Sequence, residues 1–98
     1  LGLAGAASPG QQSEARRLAV HVARAAGRLP RGAKCLPQAI ALSWQLSDRA
    51  VPNMLVIAAR APNQREAGGD TLHAWVECGD RIVLGELPGA WHVVARMP

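Results

Sequence analysis

Residues 73–86 read HAWVECGDRIVLGE, and this stretch decides the fold that the sequence predicts. Two strand-like runs flank Gly79-Asp80, a dipeptide that suits the two-residue loop of a β-hairpin. With these two residues as the loop, the register places His73 directly opposite Glu86. Directly opposed side chains have Cβ atoms about 5 Å apart. The sequence therefore predicts a hydrogen bond between the Glu86 carboxylate and the His73 imidazole.

The elements around this hairpin follow from the spacing of apolar residues. Helical spacing predicts two helices before the hairpin, and short runs rich in Val, Ile and Leu predict the strands. The predicted helices cover 13–27, with Ser13 as N-cap, and 36–47, and the predicted strands cover 54–59, 71–78, 81–84 and 91–95. Two helices followed by about four strands predict an α+β domain with helices packed on a small, mostly antiparallel sheet.

A chain of 98 residues is long enough for one domain. Residues 1–12 are mainly Gly, Ala, Ser and Pro without a hydrophobic period, which predicts a flexible lead-in before a domain at 13–98. The segment 60–69 is polar and is predicted to be a long loop. Because the chain has three Trp but no Phe or Tyr, the core should be thin, which favours stabilisation by a partner.

Composition excludes several classes of protein. The net charge is +4, but the basic residues are scattered and are not interleaved with aromatic residues, which disfavours nucleic-acid binding. Charges or prolines interrupt every apolar run, so no membrane span is predicted. Two cysteines without a secretory leader indicate a reducing, cytoplasmic location. Neither the two Cys nor the three His have the spacing of metal ligands, so no metal or cofactor is expected.

Cys35 is the candidate nucleophile because it lies at the predicted start of the second helix. Unpaired N–H groups and the helix dipole stabilise a thiolate there, and Lys34 adds positive charge. The same N–H groups could hold the oxyanion that forms when a carbonyl is attacked. The alternative is a buried cysteine that only caps the helix.

His73 is the candidate base, and Glu86 is the acid that would orient it. A longer loop or a bulge would change the hairpin register and make Asp80 or Asp70 the candidate acid instead. Strand alternation places His73 and Trp75 on one face and Cys78 on the other, which predicts that Cys78 faces either the core or the back of the sheet.

Three segments resemble a known family. CLPQAIAL (35–42), HAWVE (73–77) and VLGE (83–86) are similar to the transglutaminase-like leader peptidases of lasso-peptide biosynthesis. The resemblance implies a papain-like cysteine protease in which Cys35 and His73 match the family's nucleophile and base. The family's acid is usually Asp, so Glu86 departs from the pattern.

The resemblance also implies partners. The substrate would be a ribosomal precursor peptide, cut between its leader and core regions. A separate leader-recognition protein would act with the peptidase, and an ATP-dependent cyclase would use the freed core. Two alternatives remain from the sequence: a transglutaminase-like acyltransferase, which transfers the acyl group to an amine, and a non-catalytic module that binds a peptide.

Overall fold

The structure, a computed structural model, describes residues 2–30, 34–60, 72–86 and 89–98. Within these residues the chain forms two helices and one four-stranded antiparallel sheet, which confirms the α+β prediction. The elements are α1 (Pro9–Gly27), α2 (Cys35–Asp48), β1 (Met54–Arg60), β2 (Leu72–Cys78), β3 (Arg81–Leu84) and β4 (Trp91–Met97).

The start of α1 was predicted wrongly. Its N-cap is Ser8, not Ser13, and Pro9 occupies the first turn. The Ser8 hydroxyl accepts from the Gln11 N–H at 3.1 Å, and the Gln11 side chain accepts from the Ser8 N–H at 2.8 Å. This reciprocal capping box satisfies two backbone donors that a helix start otherwise leaves unpaired. The predicted boundary between residues 12 and 13 falls inside α1, and the division of the chain there stays a prediction.

Helix α2 agrees with the prediction to within one residue at each end. It is joined to β1 by a short connection in which the Val51 N–H donates to the Leu46 carbonyl at 2.9 Å. The buried Ser43 hydroxyl also donates to the Asn53 side chain at 2.6 Å. The carboxyl end of α2 is therefore fixed against the residues that lead into β1.

The sheet has the strand order β3-β2-β1-β4, and the helices cover one of its faces. We call this the helix face, and the main core lies between it and the two helices. The helix face contributes Leu55, Ala74, Val76 and Cys78 to this core. We call the opposite side the outer face. There, Val56, Ala58 and Trp75 form a smaller buried cluster, against which Trp91 packs.

The predicted register of the hairpin holds only next to the turn. Glu77 pairs with Ile82 as predicted, but a bulge follows, and Val76 pairs with Leu84 instead of Val83. The bulge allows both Val83 and Leu84 to pack against the main core, which strict alternation would prevent. The predicted opposition of His73 and Glu86 is therefore wrong.

Candidate active site

Cys35 is the first residue of α2 and is half-buried against the main core. The N-cap, Lys34, makes no side-chain hydrogen bond to the helix, and the first helical bond runs from the Gln38 N–H to the Lys34 carbonyl at 3.3 Å. The N–H groups of residues 35 and 36 consequently have no acceptor within the helix. This end of α2 can stabilise an anion beside the thiol.

Cys78 is the contrasting cysteine. It is fully buried in the main core, and its thiol donates to the Pro52 carbonyl at 3.3 Å. Burial raises the pKa of the Cys78 thiol above its ordinary value, because the thiolate would be poorly solvated. Cys78 therefore remains a neutral thiol at neutral pH and is unsuited to attack a substrate.

His73 lies near the start of β2, and its ring is held by the backbone after β3. Its Nε2 is 2.5 Å from the Gly85 carbonyl oxygen. Because a carbonyl only accepts, Nε2 carries the proton in the neutral ring, and the lone pair is on Nδ1. Nδ1 is thus the atom that can take a proton from a nucleophile.

Gly85 is a site residue that the sequence prediction missed. Its φ of +89° is one that L side chains rarely adopt, and a Cβ there would lie 2.8 Å from the Ala74 carbonyl oxygen. The same Cβ would lie 3.1 Å from the Cβ of Trp75. Glycine is therefore required for the backbone to approach β2 closely enough to accept from His73. In the sequence, the one sign that Gly85 belongs to the site is its position directly before Glu86, the candidate acid.

Glu86 follows Gly85 but does not orient the ring by a direct contact. It is exposed and borders a hollow beside β3 together with Asp80 and Arg81. In the part of the chain that the structure describes, no carboxylate hydrogen-bonds His73. Asp80 lies in the turn at the opposite end of β2, and Asp70 lies outside the described residues.

The outer face places two tryptophans around His73. The ring centroid of His73 is 6.1 Å from that of Trp75 and 5.3 Å from that of Trp91. The Arg60 guanidinium lies 4.6 Å from the centroid of the Trp91 ring, within the range of a cation–π contact. Trp75 itself is buried in the smaller cluster.

Glu77 follows Trp75 on the outer face of β2 and holds the Trp75 indole in place. Its carboxylate accepts from the Trp75 indole N–H at 2.8 Å and forms an ion pair with Arg96 of β4, also at 2.8 Å. The ion pair joins β2 to β4 across β1. The orientation of Trp75, and with it one side of the His73 surroundings, is set by these contacts.

Cys35 and His73 reach the same end of the domain from different faces of the sheet. Helix α2 ends where β1 begins, and β1 then runs back to the end where β2 starts. The 14 residues of α2 and the seven of β1 each span about 20 Å, so the start of α2 lies near the start of β2. Cys35 packs on the helix face, whereas the His73 ring contacts the outer-face tryptophans. No hydrogen bond joins them in the described structure.

The described residues contain no group of three or more His, Cys, Asp or Glu side chains that could hold a metal ion. None of the helices in the same part of the chain is both long and apolar enough to pass through a bilayer.

Comparison with protein families gives a match over nearly the whole chain. The family that matches residues 2–97 is described as "Transglutaminase-like superfamily". The chain belongs to the transglutaminase-like superfamily. Members of this superfamily are typically cysteine-based enzymes, with protease or acyltransferase chemistry. No curated protein and no solved structure gives a significant match to this transglutaminase-like chain.

Proposed function

We propose that this transglutaminase-like domain is a cysteine peptidase that removes the leader from a ribosomally made lasso-peptide precursor. The observation that carries the chemistry is the position of Cys35, at the start of a helix whose N-cap gives no side-chain hydrogen bond. The choice of substrate is supported by the resemblance of CLPQAIAL (35–42) and HAWVE (73–77) to the leader peptidases of that pathway.

The proposed reaction begins when His73 Nδ1 takes the proton of the Cys35 thiol. The sulfur attacks the carbonyl carbon of the last leader residue, and N–H groups at the start of α2 bind the oxyanion. The imidazolium then protonates the nitrogen of the first core residue, the C–N bond breaks, and the leader is held as a thioester. Water, deprotonated by His73, hydrolyses the thioester and restores the thiol.

Cys35 and His73 both lie at the end of the sheet where β2 starts. The reaction requires their side chains to meet beyond that end. Hydrogen bonds between catalytic groups are often long or poorly aligned without substrate and tighten when it binds. In this proposal the Gly85 carbonyl keeps the proton on Nε2 of His73. Glu86, the next residue, is the acid of the proposed triad, and it would act on the imidazolium by its charge.

The proposal includes partners and a location. A separate leader-recognition protein presents the precursor, an ATP-dependent cyclase consumes the freed core, and the reaction takes place in the cytoplasm. The two partners rest on the family resemblance, and the location rests on the two cysteines, neither of which forms a disulfide. We therefore expect little cleavage without the recognition protein, and full activity of the peptidase alone would contradict the two-protein arrangement.

The decisive experiment is mass spectrometry of a leader-core precursor incubated with this protein and the recognition protein. Cleavage at one bond is expected with the wild type and is expected to be absent with Cys35→Ala. Cys78→Ala is the matched control and should cleave normally if it folds. Activity that persists in pure Cys35→Ala would refute the assignment of the nucleophile.

The same incubation with a primary amine distinguishes the main alternative. The superfamily also supports acyl transfer, and only a transferase would produce the amine adduct of the leader. An uncut and unmodified precursor in every arm would favour a module that binds peptides without reacting with them.

A further inference from the structure

An apolar groove of about 430 Å³ lies between α1 and α2, away from the sheet. Val22 and Ala25 line it from α1, Leu29 lines it just after that helix, and Pro37 and Ala41 line it from α2. None of these five side chains carries a charge. The groove is therefore a surface on which an apolar ridge could pack.

The two helices are antiparallel along this groove, because a short connection joins the end of α1 to the start of α2. At the other end of the helix pair, Arg49 and Glu14 form an ion pair at 3.0 Å. The groove includes the first turn of α2, through Pro37, but not Cys35 itself. It is thus separate from the proposed catalytic groups while lying next to the helix start that carries the nucleophile.

The α1 side of the groove carries a row of basic residues. Arg17, His21, Arg24 and Arg28 follow each other at spacings of four, three and four, which places them along one face of α1. All four are exposed, and His21 itself lines the groove. In the described part of the chain, neither Arg24 nor Arg28 has an ion-pair partner. We call this row the basic row.

Large apolar side chains are exposed beside the groove. Trp44 is 58% exposed and lies three residues, or almost one helical turn, after Ala41. Leu29, at the opposite end of the lining, is 53% exposed. Apolar side chains around an apolar floor, next to a charged rim, are typical of a protein–protein contact.

We propose that this groove binds an amphipathic helix with an acidic flank, contributed by a partner protein. A helix fits because two antiparallel helices present a groove into which the ridge of a third can pack. Its acidic flank would pair with the basic row. A second copy of this chain is disfavoured, because the same face would bring two basic rows together.

The test uses a synthetic four-turn peptide with Leu at helical spacing and Glu along the flank, titrated into the full chain by calorimetry. Two further peptides have Lys in place of Glu, or the same residues in scrambled order. We expect the acidic peptide to bind at least about tenfold more tightly than either, with an affinity that falls as salt is added.

Variants locate the binding. Ala41→Glu places a charge on the groove floor and Arg24→Glu reverses a charge of the basic row, and each should weaken binding of the acidic peptide about tenfold. Arg16→Glu is the matched control, because Arg16 lies on the same helix but outside the basic row, and its effect should be small. Circular dichroism checks that each variant is folded.

Three results would overturn the inference: equal affinity for the acidic and basic peptides, no effect of Ala41→Glu in a folded protein, or equal effects of Arg24→Glu and Arg16→Glu. Sedimentation that shows a dimer disrupted by Ala41→Glu would assign the groove to a second copy. Binding of anionic vesicles, lost with Arg24→Glu while the peptide does not bind, would assign it to a membrane surface. None of these measurements depends on peptidase activity.

Discussion

The two ends of the layer formed by α2 and the sheet differ in how their polar groups are satisfied. At the end where α2 leads into β1, Asn53 accepts from Ser43 at 2.6 Å and donates to the Val51 carbonyl at 3.0 Å. The Cys78 thiol also has an acceptor there. At the opposite end, α2 begins at Cys35 without a side-chain cap, and His73 is held by one backbone carbonyl. We call these the anchored end and the reactive end.

The anchored end and the reactive end have different roles. Buried polar groups that are fully hydrogen-bonded hold the helix layer on the sheet, so their loss should reduce stability. A helix start without a side-chain cap contributes less to stability but leaves N–H groups available to an anion. Substitutions at the anchored end should therefore change folding, and substitutions at the reactive end should change chemistry.

The largest expected difference is between the two thiols. In the folded protein at neutral pH, iodoacetamide should modify Cys35 at least about a hundredfold faster than Cys78, because Cys78 is buried and neutral. Peptide mass spectrometry over time measures both rates in one sample. Equal rates in the folded protein, with both thiols equally fast in urea, would contradict the distinction.

Asn53→Ala should destabilise the anchored end. The variant removes the acceptor of the buried Ser43 hydroxyl and a donor to the Ser47 hydroxyl. We expect the free energy of unfolding to fall by about 2–3 kcal/mol, because a buried hydroxyl loses its partner. Urea denaturation followed by circular dichroism measures this change. Ser13→Ala, at an exposed position on α1, is the control and should change stability by less than about 0.5 kcal/mol.

Gly85→Ala should impair the reactive end. The new Cβ would meet the Ala74 carbonyl, so the Gly85 carbonyl must move away from His73. We expect cleavage per folded molecule to fall about tenfold and the ¹⁵N spectrum of neutral His73 to lose its preference for a proton on Nε2.

Gly27→Ala is the matched control for that substitution, because nothing lies within 4 Å of a Cβ there. It should leave both cleavage and the spectrum unchanged. If Gly85→Ala folded and retained both, the carbonyl would have no role in orienting the ring.

The smallest expected effect concerns the acid. Glu86→Gln removes a charge next to Gly85 and should reduce the rate of cleavage a few-fold. The effect is small because an exposed charge without a direct contact acts on the His73 imidazolium only through space. Asp80→Asn removes a charge at the far end of β2 and should reduce it less. The reverse order, measured by the initial rate of precursor cleavage, would transfer the acid role to Asp80.

The sequence predicted the elements that local patterns determine. The second helix with Cys35 at its start, and the opposite faces of Trp75 and Cys78, follow from periodicity alone, and the structure agrees. The start of α1 could also have been predicted. The residues SPGQ (8–11) contain a capping box and a first-turn Pro, although their Gly and Pro are also typical of a flexible segment.

Tertiary packing decided what the sequence did not reveal. The bulge before Glu77 arises because Val83 and Leu84 both pack toward the helices, and this depends on where α1 lies. The contact of Trp91 with His73 depends on β4 joining the far edge of the sheet beside β1. Neither fact follows from local spacing, so the register beyond Glu77 and the ring neighbours of His73 were not predicted.

The intrinsic fluorescence of the three tryptophans depends on the state of the reactive end. The chain has no Tyr or Phe, so its emission comes from the indoles alone. Trp44 is exposed and accessible to iodide, whereas Trp75 is buried and should emit at shorter wavelength. Trp91 stands 5.3 Å from the His73 ring, and a protonated imidazole quenches a nearby indole. The quantum yield of Trp91 should therefore report the charge of His73 without any added label.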